Sequence, residues 1–257
     1  MTVLRCIFVY LWFGAVLLIR LPLRAKANRL IEAGEFEEAQ RRMWKFANHL
    51  ARVGCRLLGV KLTVKGLENI PEHGSILYAG NHQSMADPPV MLAAIPRPSA
   101  FICKEELDGI PVFSKWVATL GSYFLPRSES RKSLEIILSA AKLLKKYEHG
   151  MCIFPEGTRS NDGNMRPFKP GSLKIATRSG AAIVPFAIEN TINVMPRGSY
   201  FFKAEPVTVT FLPAIMPEAY KGKDTSTLTD QIQKDIAAVV GCDIIDPDAA
   251  SEKEEEA

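Results

Sequence analysis

The sequence predicts an α/β fold, in which a mixed, mostly parallel sheet is flanked by helices and preceded by an N-terminal, membrane-associated two-helix element. Two observations predict it: strand-like and helix-like segments alternate from Gly66 onwards, and the longest uncharged apolar run stands at the N-terminus. The chain has 257 residues, 47% of them hydrophobic, which is enough for one well-buried domain and an appendage. We expect residues 1–60 to attach the protein to a membrane, 61–242 to form the main domain and 243–257 to form an acidic tail.

The first predicted element is the uncharged run from Cys6 to Ile19. As a helix it extends about 21 Å, less than the roughly 30 Å hydrocarbon core of a bilayer. Counting from Val3 to Leu23 gives about 31 Å, so a tilted span and a re-entrant, monotopic helix both stay open. A buried core helix is a third alternative. A signal peptide is disfavoured because cations follow the apolar run directly.

A basic amphipathic helix is predicted over residues 29–58, where apolar residues recur every three or four positions and cations stand between them. Such a helix either packs on a domain or lies in a membrane interface, and the preceding apolar run favours the interface. Residues 1–66 carry a net charge of +8, against +2 for 67–242 and −6 for 243–257. No nucleic-acid-binding motif accompanies the positive charge, so we expect membrane lipids and no nucleic acid as partners. The basic flank predicts the cytoplasmic face of the inner membrane.

The main domain is predicted from alternating segments. Strands are predicted at Ser75–Ala79, Ala100–Cys103, Met151–Phe154, Ile183–Ile188 and Val207–Phe211. Helices are predicted at Pro88–Ala94, Val112–Leu120, Arg131–Glu148, Ser172–Ser179 and Ser226–Val240. In open α/β sheets, ligands bind beyond the carboxyl ends of the strands. Three polar loops are predicted to lie there.

The first of these loops contains His82 and Asp87. On a continuous helix these two residues would not share a face, so they meet only if the segment bends. Asp87 at the N-cap and Pro88 at the first helical position predict that bend. A capping role alone would also account for Asp87.

The second loop has a tight turn at Pro155-Glu156-Gly157, followed by Thr158 and Arg159. A planar guanidinium beside exposed backbone N–H groups suits a phosphate, and a glycine lets the backbone approach a ligand closely. The third loop ends at Arg127, and the segment that precedes it begins with Lys104. Both bring further cations to the same region.

The five cysteines lack C-x-x-C spacing, and the four histidines do not cluster with them. This pattern indicates reduced thiols and predicts neither a disulfide framework nor a zinc site.

Five segments together carry a resemblance to a known family. They read NHQSMAD, KEEL, GSYFLPR, FPEGTRS and IVPFAIEN. In their order and approximate spacing the chain resembles the 1-acyl-sn-glycerol-3-phosphate (lysophosphatidic acid) acyltransferases of the glycerolipid acyltransferase superfamily, over about residues 60–215. The specific signal is H-x4-D followed about seventy residues later by FPEGTRS. The apolar N-terminus is similar to the membrane-embedded two-helix element of that family.

The resemblance implies transfer of an acyl group from acyl-CoA or acyl-carrier protein to the free sn-2 hydroxyl of lysophosphatidic acid, which gives phosphatidic acid. It implies no acyl-enzyme, cofactor or metal. His82 would be the general base, and Asp87 would orient it and stabilise its imidazolium form. Pro185 belongs to the block associated with the acyl-donor site. Contacts to the acceptor are implied for Lys104, Arg127, Glu156, Gly157, Thr158 and Arg159.

Two departures from the family pattern bear on the acceptor. The family often has a bulky aromatic residue where Met85 stands, and an Asp or Asn where Pro126 stands. Another lysolipid, such as a lyso-aminolipid or a cardiolipin precursor, therefore stays an alternative acceptor. A non-catalytic lipid-binding membrane protein is the alternative from another functional class.

Overall fold

The structure, a computed structural model, describes residues 2–126, 130–160 and 162–246. Its strands are β1 (Lys61–Lys65), β2 (Ile76–Gly80), β3 (Ser99–Lys104), β4 (Tyr123–Leu125), β5 (Gly150–Ile153), β6 (Ala182–Glu189) and β7 (Pro206–Phe211). Its helices are α1 (Thr2–Ile19), α2 (Leu21–Glu32), α3 (Phe36–Leu58), α4 (Asp87–Ala94), α5 (Phe113–Thr119), α6 (Ser130–Lys146), α7 (Lys174–Ser179), α8 (Thr191–Val194), α9 (Pro217–Tyr220) and α10 (Thr225–Val240). Short 3-10 segments lie at Leu67–Asn69, Glu105–Leu107 and Pro170–Leu173.

The seven strands form one sheet in the order β1-β7-β6-β2-β5-β3-β4. The five strands from β6 to β4 run parallel to one another, β7 is antiparallel to β6, and β1 is parallel to β7. The predicted fold class, a mixed and mostly parallel sheet flanked by helices, is confirmed. Because parallel strands end at the same edge, the loops that follow β2, β5 and β3 lie side by side.

Helices cover both faces of the sheet. Tyr78 and Phe186 are buried on the face that packs against α3 and α4. Leu77 and Met151 are buried on the other face, in a cluster that includes residues of α6, α7 and α10. The alternation between Leu77 and Tyr78 is the two-residue period of a strand that is buried on both faces.

Gly80, at the end of β2, allows the close strand pairing that positions the next loop. A Cβ atom at this position would lie 2.2 Å from the carbonyl oxygen of Phe186. Only a residue without a side chain fits there, so β2 and β6 stay paired up to the point where the loop with His82 begins.

The N-terminal part consists of three helices. Gly34, with φ +84°, separates α2 from α3 within the segment for which one helix was expected. The apolar face of α3, including Met43 and Leu50, is buried, and α3 packs on α4. The alternative of a helix packed on the domain therefore applies to α3, while its cations, such as Arg41, stay exposed.

Helix α1 has one buried and one exposed apolar face. Cys6 and Val9 are buried, whereas Leu4, Phe8 and Leu11 are exposed by 74%, 60% and 70%. Neither α1 nor any other helix among the described residues has, by itself, the length and apolar character needed to cross a bilayer. Residues 3–19 and 21–32, joined at a bend of 50°, meet that requirement together.

Candidate active site

The loop between β2 and α4, residues 81–86, is held in place from its first residue. The side-chain amide of Asn81 donates to the carbonyl oxygen of Ile188 (2.9 Å) and accepts from its N–H (2.7 Å). Thr191 donates its hydroxyl to the Gln83 amide oxygen (3.2 Å). Sequence reasoning did not single out Asn81 or Gln83, although both belong to the NHQSMAD segment and Asn81 binds within IVPFAIEN.

His82 and Asp87 are brought into direct contact, as the predicted bend requires. The distance from His82 Nδ1 to Asp87 Oδ2 is 2.6 Å. Asp87 is fully buried, and the His82 side chain is 10% exposed. A carboxylate that accepts from Nδ1–H leaves Nε2, on the other side of the ring, as the proton acceptor of a neutral imidazole.

Asp87 does not cap the helix, contrary to one of the expectations. Helix α4 begins at Asp87 itself and the N-cap residue is Ala86. An N-cap carboxylate accepts N–H groups two or three residues later in the chain. Asp87 Oδ2 instead accepts the backbone N–H groups of Gln83 (2.7 Å) and Ser84 (2.8 Å), which precede it. Its carboxylate therefore organises the loop and the imidazole.

Glu156 lies beneath the same loop and joins it to the loop after β5. Its Oε1 accepts the backbone N–H of His82 (2.7 Å), and its Oε2 accepts the N–H of Arg166 (2.8 Å). A second link runs the other way, from the Ser160 N–H to the His82 carbonyl oxygen (2.8 Å). Burial raises the pKa of Glu156 to about 7, with Asp87 adding to the effect, although the two N–H donors and Arg166 oppose it.

An aromatic side chain forms a wall of the site. The ring of Phe154 stacks on the His82 ring, with 4.3 Å between the centroids, and Phe186 meets Phe154 edge-on at 5.8 Å. The imidazole is therefore held by a carboxylate at Nδ1 and by an apolar surface on one face. This restricts its rotation.

The residues expected to contact the acceptor lie in the loop after β5 and at the neighbouring strand end. Gly157 and Thr158 are exposed and Arg159 is half-buried, directly before the Ser160 link to His82. Lys104 is half-buried at the end of β3. Arg127 lies outside the described residues.

Two further residues are placed by the backbone. Gly157 has φ +67°, and a Cβ atom there would lie 3.1 Å from Lys169 Nζ, so the turn is built for glycine. Pro185 is buried in β6 opposite Ala79 of β2, next to Phe186 in the chain. Within the described ranges, no three His, Cys, Asp or Glu side chains form a group that could hold a metal ion.

The sequence model of the acyltransferase family matches residues 61–189. The 1-acyl-sn-glycerol-3-phosphate acyltransferase of Borreliella burgdorferi is 30% identical over 192 residues, which are 73% of this chain and 76% of that protein. A chloroplast enzyme of the same name from Arabidopsis thaliana is 34% identical over 140 residues, 54% of this chain and 39% of that protein.

A solved structure agrees with these sequence matches. The crystal structure of the 1-acyl-sn-glycerophosphate (LPA) acyltransferase PlsC of Thermotoga maritima superposes with a TM-score of 0.74 and 25% identity, over 94% of this chain and 97% of that one. The family match spans the sheet from β1 to β6 together with the loops that hold His82, Asp87 and Glu156. The chain therefore belongs to the acyltransferase family of enzymes and is similar to its 1-acyl-sn-glycerol-3-phosphate acyltransferases.

Proposed function

We propose that the protein transfers an acyl group from a thioester, acyl-CoA or acyl-carrier protein, to the free sn-2 hydroxyl of lysophosphatidic acid and so makes phosphatidic acid. The observation that carries the proposal is the 2.6 Å contact between His82 Nδ1 and Asp87 Oδ2 beside the loop that contains Arg159. The two relatives described above are both named 1-acyl-sn-glycerol-3-phosphate acyltransferases, and these names support the acceptor.

In the proposed reaction His82 acts as general base. Its Nε2 takes the proton of the acceptor hydroxyl while the hydroxyl oxygen attacks the carbonyl carbon of the thioester. The carbon–sulfur bond then breaks, and the imidazolium gives the proton to the leaving thiolate, so the products are an ester and a free thiol. Asp87 keeps the imidazole in the right tautomer and stabilises its positive charge. A positioned base of this kind contributes roughly 10²–10⁴-fold.

The acceptor's phosphate is proposed to bind at the loop after β5. Arg159 offers a planar guanidinium, and the exposed turn at Gly157 and Thr158 offers backbone close to the ligand. Lys104, at the end of β3, would add positive charge, and the resemblance implies the same role for Arg127. Pro185 would help to shape the acyl-donor side. Another lysolipid stays the alternative acceptor, because Met85 replaces a bulkier residue of the family pattern. Met85 is 43% exposed within the loop of residues 81–86, which we name the catalytic loop.

We further propose that α1 holds the enzyme at the cytoplasmic face of the inner membrane. Its exposed residues Leu4, Phe8, Leu11, Ala15 and Leu18 recur every three or four positions and so form one apolar stripe. Exposed cations follow at Arg20 and in α2 and α3. An apolar helix face bordered by cations is the pattern of a helix that lies in an anionic membrane interface.

The experiment that tests the chemistry compares His82→Ala with His73→Ala in detergent, with lysophosphatidic acid and acyl-CoA as substrates and the lipid product measured by mass spectrometry. The His73 side chain is 87% exposed, which makes it the matched control. We expect His82→Ala to lose at least roughly 10²-fold in kcat while its melting temperature stays near that of the control. Unchanged turnover in His82→Ala would overturn the mechanism.

Asp87→Asn separates the orienting role from a structural one. The amide oxygen can still accept the two loop N–H groups, but the charge is lost. We expect kcat to fall by roughly 10²-fold or more, because an Asn no longer stabilises the imidazolium. If the variant kept full activity, the role of Asp87 would be confined to holding the loop.

A further inference from the structure

The segment between α8 and β7 carries the most exposed large apolar side chain among the described residues. In this segment, residues 195–203, which we name the aromatic loop, Tyr200 is 78% exposed and Phe201 is 39% exposed. Two adjacent exposed aromatic side chains indicate an interaction surface, because a monomeric domain gains stability by burying such groups.

The aromatic loop is hydrogen-bonded to α1 through the buried Cys6 and the exposed Tyr10, at the border between the buried and exposed faces of the helix. The Tyr10 hydroxyl donates to the Tyr200 carbonyl oxygen, and the Tyr10 ring packs edge-on against Phe202 with 6.4 Å between centroids. The Cys6 thiol donates to the Phe202 carbonyl oxygen at 3.4 Å. The two exposed aromatic residues therefore stand beside Tyr10, where the exposed surface of α1 ends.

The charges around the loop indicate what covers that surface. Arg197 and Lys203, both exposed, flank the two aromatic residues, and no acidic residue stands between residues 190 and 204. Protein segments at a membrane interface are typically rich in aromatic residues and in cations that reach the lipid phosphates. A protein surface of mixed charge would not favour this composition.

The same loop is also joined to the catalytic loop. Ser84, between His82 and Asp87, donates its hydroxyl to the Met195 carbonyl oxygen at 2.8 Å. The Lys203 N–H closes the base of the aromatic loop on the Val194 carbonyl oxygen at 2.7 Å. Only residues 196–199 therefore separate Tyr200 and Phe201 from Met195, the residue that is hydrogen-bonded to the catalytic loop.

We propose that the aromatic loop is a second membrane-contact element, which places Tyr200 and Phe201 in the interface of an anionic bilayer beside α1 and so holds the His82 loop at the lipid surface. The inference rests on the membrane attachment proposed for α1. It adds that attachment is made at two places, the second of which is joined directly to the active site.

The test uses the full-length Phe201→Trp variant with vesicles of phosphatidylglycerol and phosphatidylcholine, with and without bromine on the acyl chains. Val239→Trp in α10 is the matched control, because Val239 is also 39% exposed. The parent has three tryptophans, so its emission is subtracted from that of each variant. We expect bromine to quench the remaining emission of Phe201→Trp and to leave that of Val239→Trp unchanged. The double variant Tyr200→Ser/Phe201→Ser is expected to lower the vesicle partition coefficient by about tenfold or more, while activity in detergent is retained.

The outcomes separate the two proposals. If the protein floats with the vesicles and the Phe201→Trp emission is not quenched, the aromatic loop is no membrane contact and α1 attachment stands. If the protein does not float at all, both membrane proposals are wrong, whereas turnover in detergent still tests the chemistry separately. If the double variant loses self-association and binds vesicles as the parent does, the surface is an interface between copies and the inference is overturned.

Discussion

Glu156 is the residue whose replacement tests most directly how the catalytic loop is held. Its two oxygens accept the N–H groups of His82 and Arg166, and the residue is 3% exposed. Leaving a buried donor without a partner costs about 1–3 kcal/mol, so Glu156→Ala should lower the free energy of unfolding by about 2–6 kcal/mol. Glu156→Gln keeps one acceptor oxygen and turns an amide towards the second N–H, so it should lose about half as much.

The assay combines thermal unfolding with steady-state kinetics, and Glu72→Gln, at an exposed position, is the control. For a chain of this size about 1 kcal/mol corresponds to roughly 2–4 °C, so Glu156→Ala should melt at least about 4 °C below the control. Because the lost contacts position His82, we expect kcat to fall while the KM for lysophosphatidic acid changes little. A raised KM with unchanged kcat and melting temperature would refute this reasoning and make Glu156 an acceptor contact.

The pKa of Glu156 adds a pH dependence with a definite sign. Because its folded value is raised to about 7, the folded state retains the proton more readily than the unfolded state. Its contribution to stability is complete below about pH 4.5 and is lost as the pH rises through about 7, by roughly 3 kcal/mol in all. Melting temperatures across this window should therefore decrease more in the parent than in Glu156→Gln. Equal decreases of the melting temperature in the parent and in Glu156→Gln would contradict the raised pKa of Glu156.

Three further outcomes are expected. Arg159→Ala should raise the KM for lysophosphatidic acid about tenfold or more and leave the KM for an acceptor without phosphate unchanged, and equal effects on both would remove Arg159 from phosphate binding. Gly157→Ala should lose more stability and activity than Gly163→Ala, because both glycines have positive φ but only Gly157 has Lys169 within 4 Å of an added Cβ. The full-length protein should resist extraction from membranes by high salt and yield to detergent, because salt screens charges and does not weaken apolar burial. Release by salt alone would show that attachment is electrostatic.

The sheet could be predicted largely from its apolar strands, and its edges could not. β2, β5 and β6 are buried along almost their full length and show as continuous apolar runs. β1 alternates between exposed and half-buried residues, and β4 has only three residues, Tyr123–Leu125. β4 is too short to show a period, and β1 alternates but offers only two apolar residues, Leu62 and Val64, so neither stood out as a strand.

In the site, contacts between residues close in the chain could be predicted, and contacts between distant residues could not. His82 and Asp87 lie five positions apart, and a bend between them could be predicted locally from Asp87-Pro88, although the N-cap proved to be Ala86. The contact of Glu156 with the His82 backbone joins residues 74 positions apart, and no spacing rule could supply it. Resemblance placed Glu156 among the acceptor contacts, whereas the geometry favours a positioning role.

The hydrogen bonds that hold the catalytic loop also determine how much of the chain must be synthesised before the protein can be active. The loop binds Glu156, Ile188 and Met195, which lie 74, 107 and 111 residues beyond its own bonded residues. Contacts at such separations form late, because a long stretch of chain must close first. A nascent chain that ends before β6 has His82, Asp87 and Glu156 but lacks Ile188 and Met195, which hold the other side of the loop, so turnover reports on completed folding of the sheet.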